Sequence, residues 1–240
     1  MRSSRWQAHG NTYLVTEDGP LSPEQVGAEV ADSDGILDVR ATGDDWLEIV
    51  IWNPDGSQAE MSGNGTRIAA RWLAARTGAS AVTVRVGPRE VRARMLDAVL
   101  VEQDMGEVAV GKPEQVAGIS LVTVDVGNPH AVVDGDPGEL ERIGPLLETH
   151  ERFPNRTNVQ IGRRSGDGGI EARVWERGVG ETASSGSSAV AVAAAFSFAY
   201  GSPSDEPTTV HFPGGDLVVR FEGGHALLTG PAERVEAGDR

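Results

Sequence analysis

The stretch Glu48-Ile49-Val50-Ile51-Trp52-Asn53, followed by Ser62-Gly63-Asn64-Gly65, is one copy of a unit that the chain spells twice. The second copy runs Glu171-Ala172-Arg173-Val174-Trp175-Glu176 and reaches Ser185-Gly186-Ser187-Ser188. Alternating apolar residues over 46–52 and 170–175 have the period of two of half-buried strands. Asn53-Pro54-Asp55-Gly56 after the first is a turn. Residues 66–77, rich in Ala, Arg, Leu and Trp, stop at Gly78, and residues 189–200 stop at Gly201, as helices with a C-terminal glycine do. Each copy therefore reads strand, glycine-rich turn, helix, with a polar residue at the strand end and a serine at the helix entrance. Two such copies suggest two facing half-sites, an arrangement suited to chemistry on both sides of one atom.

Working outward, the copies continue to match. Strands are expected over 81–86, 90–94 and 99–103 in the first, and over 208–212, 216–221 and 226–229 in the second. The turns between the leading pairs are Gly87-Pro88 and Pro213-Gly214-Gly215. Gly10-Asn11 near the first strand has its counterpart in Gly127-Asn128-Pro129-His130 after a strand over 121–126. Ser165 to Gly169 reads as a hairpin turn. The pattern breaks at Lys112-Pro113, between Gly111 and Gly118, which sets an expected domain boundary: residues 1–114 and 115–240, with the last residues packing back on the first domain. The implied fold class is α+β, two pseudo-symmetric domains, each a mostly antiparallel sheet or half-barrel wrapped around a central helix.

Bulk properties narrow the function. The 240 residues are 39% hydrophobic and 24% charged, an ordinary globular balance, and no apolar run approaches the roughly 18 residues of a membrane span. Met1 to Trp6 carries positive charge without an apolar segment behind it, so no secretory signal is read and a cytoplasmic location is expected. A formal charge of -15 argues against a nucleic-acid partner, because phosphate binding needs clustered Lys and Arg. There is no cysteine, which removes disulfides and thiolate metal sites together. His9, His130, His150, His211 and His225 show no metal-ligand spacing, so no metal is expected.

The chemistry is expected at the two helix entrances. A helix N-terminus presents unpaired N–H groups and the positive end of a dipole, which suits a carboxylate or phosphate. Glycine and serine leave that backbone accessible. A serine before a helix is, taken alone, most simply an N-cap that stabilises by about 1 kcal/mol. The matched offsets of Asn53 and Glu176, and the adjacent Glu176-Arg177, favour a ligand site instead. An arginine there can clamp a carboxylate bidentately, where its plain role is a surface ion pair.

At this level of detail the chain resembles the diaminopimelate epimerase family. The resemblance lies in His9-Gly10-Asn11-Thr12-Tyr13, Asn53-Pro54-Asp55-Gly56-Ser57, Met61-Ser62-Gly63-Asn64-Gly65-Thr66-Arg67, Gly127-Asn128-Pro129-His130, Phe153-Pro154-Asn155-Arg156-Thr157-Asn158-Val159, Glu176-Arg177-Gly178-Val179-Gly180-Glu181-Thr182 and Thr229-Gly230-Pro231-Ala232. It implies cofactor-independent inversion of LL-2,6-diaminopimelate to the meso form by two bases, in lysine and peptidoglycan precursor synthesis, by a homodimer acting on a small amino-acid substrate. The catalytic positions carry over to Ser62 and Ser185. Substrate contacts carry over to Asn11, Asn53, Gly63, Asn64, Asn128, Asn158, Glu176, Arg177, Gly186 and Ser187, with His130 and Glu176 helping to set the protonation of the bases. Asn11 and Asn158 also read as turn formers, His130 as a loop histidine, and Phe153 and Trp175 as core.

In that family both catalytic positions are cysteines, and here both are serines. A thiol ionises near ~8.5 and can be lowered by a helix N-terminus, whereas an aliphatic hydroxyl is a far weaker acid. A neutral serine therefore needs a partner base to remove an α-proton. Three readings follow: an engineered Cys→Ser form, a natural epimerase that uses the serines with help, or a homologue with another reaction, such as a racemase or a dehydratase. A non-catalytic amino-acid-binding homologue is the alternative outside enzymes.

Overall fold

A computed structural model describes residues 3–30, 32–200 and 206–235. The chain separates into two compact units, one comprising residues up to Asp104 with those from Thr229 onward, the other Met105–Leu228. The passage between units thus falls at 104/105, upstream of the Lys112-Pro113 break, which instead lies on the link between two short strands of the second unit.

The first unit contains β1 (Ser3–Ala8), β2 (Asn11–Thr16), α1 (Pro23–Glu29), β3 (Ile36–Thr42), β4 (Trp46–Trp52), β5 (Gln58–Ala59), α2 (Gly63–Thr77), β6 (Ala81–Val86), β7 (Arg89–Met95) and the start of β8 (Leu100–Glu107). β1–β2 is antiparallel, β2–β3 parallel, β3–β4 and β4–β5 antiparallel, β4–β6 parallel, and β6–β7 and β7–β8 antiparallel.

The second unit contains β9 (Ala109–Val110), β10 (Glu114–Val116), β11 (Ile119–Asp125), β12 (Pro129–Asp134), α3 (Leu140–Glu148), β13 (Asn158–Arg164), β14 (Ile170–Glu176), β15 (Gly180–Thr182), α4 (Gly186–Phe198), β16 (Thr208–Phe212), β17 (Gly215–Glu222) and most of β18 (His225–Pro231). From β11 the sequence of pairings repeats that of the first unit: antiparallel, parallel to β13, antiparallel twice, parallel from β14 to β16, antiparallel to β17. The α+β class and the twofold repetition expected from the sequence are what the chain adopts. β19 (Glu233–Arg234) pairs with β1.

Each unit buries its larger helix against its strands. Ile68, Ala69, Ala70 and Leu73 of α2 meet Leu37, Ile49, Ile51 and Val84. Burying each of the larger side chains stabilises by ~1.5–3 kcal/mol. α4 is buried on every side from Ala189 to Phe196, among Val122, Val132, Val174, Val210, Leu217 and Leu228, which is why its sequence shows no polar face. Both helices begin earlier than their apolar residues suggest, at Gly63 and Gly186, because the glycine-containing turns are themselves the first helical turn. Gly78 closes α2 in the left-handed region at φ 77°, its N–H bonding Ala74 O. Gly201, expected to end α4, lies outside the described residues.

The sequence reading did not anticipate α1 and α3. α1 opens with a reciprocal capping box between Ser22 and Gln25 and has Pro23 in its first turn, a recognisable start. α3 carries Pro145 internally and is held by Leu140, Ile143 and Leu147 against Leu121, Val133, Val159 and Ile161. No helix among the described residues is long and apolar enough to cross a membrane.

Candidate active site

In the first unit β4 ends at Trp52, and the following turn folds Asn53 on itself. Asn53 Nδ2 donates to Ser57 Oγ at 2.9 Å, while Ser57 donates to Asp55 Oδ1. Asn53 is thus bonded within its turn rather than to the other expected ligand residues of this unit. The chain then reaches Ser62, an extended residue (φ -142°, ψ 119°) whose Oγ accepts the Gly65 N–H at 3.0 Å. A Cβ on Gly65 would come within 3.2 Å of Ser62 Cβ, so glycine there lets the serine fold over the first turn.

Asn64, buried, donates from Nδ2 to Asn11 Oδ1 at 3.3 Å and accepts from Arg67 on Oδ1 at 2.7 Å. Two of the expected binding residues are therefore brought together. Arg67 is fully buried; it also donates to Gly63 O at 3.3 Å and to Pro231 O. Among the described residues it has no carboxylate partner, and burial brings its pKa down to about 10, so it is a cation at neutral pH. Gln103 Nε2 donates to Gly63 O at 2.9 Å. The carbonyl of Gly63 is thereby held by side-chain donors from Gln103, Arg67 and Thr66, which fixes the helix entrance.

One partner of Ser62 was absent from the sequence reading: Tyr13 Oη lies 3.1 Å from Ser62 Oγ. Tyr13 is buried, its ring against the Cα of Gly35, where a Cβ would meet Tyr13 Cε1 at 2.7 Å. Asn11 and Tyr13 alternate along β2, so period two puts both on one face.

In the second unit Ser185 has nearly the same backbone (φ -147°, ψ 130°) but makes no side-chain cap bond. Its hydroxyl faces the Glu176 carboxyl and helps hold its pKa down, and that carboxyl accepts from Thr182 Oγ1 at 2.5 Å. Burial pushes the Glu176 carboxyl up, and these two donors only partly offset it. That makes it a better proton acceptor, once ionised, than an exposed glutamate.

Arg177 is exposed, with its backbone N–H on Asn158 Oδ1 at 2.9 Å and its guanidinium only 3.5 Å from Asn155 O. Asn158 Nδ2 reaches back to Pro129 O at 3.0 Å. Gly186 is the first residue of α4 and is buried; Ser187 is partly exposed beside it.

His130 begins the parallel pairing of β12 with β13, opposite Asn158. Gln160 Nε2 approaches His130 Nδ1 at 2.9 Å, and His130 Nε2 approaches Asn128 Oδ1 at 3.0 Å. An amide N–H must donate, so Nδ1 accepts and Nε2–H donates to Asn128. Burial brings His130 down to about 3. It is a neutral imidazole that orients Asn128. Asn128 and His130 border a cleft of about 510 Å³ with Thr123, Asp125 and Phe153; a cleft of about 450 Å³ at Ala117 and His150 holds none of the expected residues.

Glu148, at the end of α3, was also absent from the sequence reading. Its carboxylate accepts Trp175 Nε1–H at 2.8 Å, Gly178 N–H at 2.8 Å and Arg156 at 3.3 Å. Burial alone would raise its pKa, but these donors outweigh it and hold the group below the usual range. Glu148 therefore brackets Glu176 and Arg177 from both flanks. Gly144 permits this approach, since a Cβ there would sit 2.8 Å from the Trp175 ring. Among the described residues no three His, Asp or Glu cluster as metal ligands would.

The family profile described as diaminopimelate epimerase matches residues 122–235. A diaminopimelate epimerase of Pelotomaculum thermopropionicum is 38% identical over 219 residues, 79% of this chain and 76% of that protein. One from Brucella canis is 38% identical over 224 residues, covering 82% and 73%. Among solved structures, a predicted epimerase from Pseudomonas aeruginosa superposes with a TM-score of 0.77 at 17% identity, covering 98% of this chain and 96% of that one. A hydroxyproline epimerase from Agrobacterium vitis gives 0.68 at 14% identity, covering 97% and 88%. These distant structures share the fold.

Proposed function

We propose that this chain, which belongs to the diaminopimelate epimerase family, inverts an α-carbon of LL-2,6-diaminopimelate to give the meso form, with Ser62 and Ser185 as the two proton-transferring groups. The observation that carries the reading is the Ser185–Glu176 pair at the entrance of α4. Ser185 Oγ takes the α-proton as its own proton passes to the Glu176 carboxylate, and the C–H electron pair stays on the α-carbon. The substrate carboxylate that shares this charge is held at the helix N-termini, where N–H groups and the dipole favour an anion. Ser62 returns a proton to the other face. Reversal of the same steps runs the reaction backwards.

Asn11 and Asn64 supply amide contacts to the substrate, as do Asn53, Asn128 and Asn158, and Gly63, Gly186 and Ser187 leave room for its carboxylate. Arg177 takes a second carboxylate. Pyridoxal phosphate has no part: the chain's one lysine, Lys112, lies outside this set. The enzyme works in the cytoplasm as a homodimer.

Incubation with LL-diaminopimelate in heavy water, followed by NMR, tests the reading. Loss of the α-proton signal with formation of the meso isomer is expected, abolished in Ser62→Ala and Ser185→Ala. Binding without exchange would leave an amino-acid-binding homologue. Exchange of another amino acid in place of this one would leave a racemase of the same fold.

A further inference from the structure

We propose that Tyr13 is the proton partner of Ser62, completing on the first unit the pairing that Glu176 provides for Ser185. This rests on the epimerase reading above. An aliphatic hydroxyl cannot take an α-proton unless its own proton leaves, so Ser62 needs an acceptor within hydrogen-bond reach. The partners of its hydroxyl are the Gly65 N–H, which can only donate, and Tyr13 Oη at 3.1 Å. A phenol ionises near ~10 in model peptides, far below an aliphatic alcohol, and among the described residues it is the one ionisable group bonded to Ser62.

Positive charge gathers at this helix entrance. Arg67, a buried cation without a carboxylate partner among the described residues, is bonded to Gly63 O and Asn64 Oδ1 next to Ser62, and the positive end of α2 lies at the same place. The ring is fixed between Gly35 and the helix entrance, so Oη is held at the serine. When Ser62 removes a proton, Oγ takes it from the α-carbon, the serine proton moves to the Tyr13 phenolate, and the electron pair remains on carbon. When Ser62 delivers a proton, neutral Tyr13 replaces the one that Oγ gives up. The phenol exchanges its proton with water between turnovers. Tyr13 is a positioning and relay residue that acts through Ser62.

Tyr13→Phe removes only the hydroxyl and keeps the ring. Deuterium exchange and epimerisation are measured against pH in wild type, Tyr13→Phe, Ser62→Cys and Ser62→Cys/Tyr13→Phe, with substrate binding followed by titration calorimetry. The expected result is an about hundredfold loss or more in Tyr13→Phe with binding kept, and loss of the alkaline limb of the pH profile. In the Ser62→Cys background the same Tyr13→Phe substitution should change the rate by no more than a few-fold, since a thiol ionises without help. Equal losses in both backgrounds, or no loss in either, would overturn the relay. If wild type is inert but Ser62→Cys/Ser185→Cys epimerises, the relay falls and the epimerase pocket stands. If neither exchanges, the epimerase reading itself falls.

Discussion

Ser62 and Ser185 occupy matching places in two units of matching topology, with almost the same backbone angles, yet their hydroxyls are committed differently. Ser62 Oγ caps its helix by accepting the Gly65 N–H and has a phenol beside it. Ser185 caps nothing and faces a carboxyl. The difference follows from how each helix is anchored. α2 carries Arg67 and Arg71 in its buried face and begins at Gly63, whose carbonyl accepts from Thr66, Arg67 and Gln103, so its entrance is fixed by polar contacts that include the serine. α4 is apolar all round, and packing fixes it without help from the cap. The two units repeat the backbone at these serines and differ in what each hydroxyl contacts.

The largest expected effect tests the carboxyl side. Glu176→Gln cannot accept the Ser185 proton, and exchange should fall by about 10²- to 10⁴-fold, read by the heavy-water assay; a loss below tenfold would leave Ser185 without the assigned partner. Because burial raises Glu176, the rate carried by its ionised form should be absent at acid pH and rise through a pKa above the usual glutamate value.

Acid unfolding comes next. His130 is about 3 in the fold against roughly 6.5 in the unfolded chain. Between those values the unfolded state binds more protons, so stability from this group is complete above roughly 6.5 and lost as pH falls toward 3. Urea titrations across that window should show a steeper acid loss in wild type than in His130→Gln.

Glu148→Gln should cost about 1–3 kcal/mol, because one amide oxygen cannot serve both Trp175 Nε1–H and Gly178 N–H. Substrate affinity should weaken with it, as the Glu176-Arg177 segment loses its brackets; a calorimetric Kd unchanged from wild type would restrict Glu148 to folding. The smallest effect is the sharpest for the comparison. Ser62→Ala should lose about 1 kcal/mol of stability through its cap, in wild type and Glu176→Ala alike, while the Ser185→Ala loss should shrink in the Glu176→Ala background, in parallel denaturant curves; an unchanged Ser185→Ala loss would erase the asymmetry.

Much of this was legible in the sequence where pattern is local. Strand alternation, glycine stops and the paired serines gave both large helices and the α+β repeat. α3 escaped because Gly144 and Pro145 are poor helix residues, and the helix exists through contacts with Trp175 and β13. The positions of Ser62 and Ser185 could be read from the helix entrances, but Tyr13, Gln160 and Glu148 could not. Each joins the candidate site through strand register or through packing between distant elements. Gln160 bonds His130 only because β12 and β13 run parallel with His130 opposite Asn158.

The packing of α4 among apolar side chains has a bearing on how such a protein changes over time. Where a helix stands without its cap, the capping position is released from conservation of fold and becomes a place to try new side chains. A change at position 185 leaves no helix cap to lose, whereas a change at position 62 removes one.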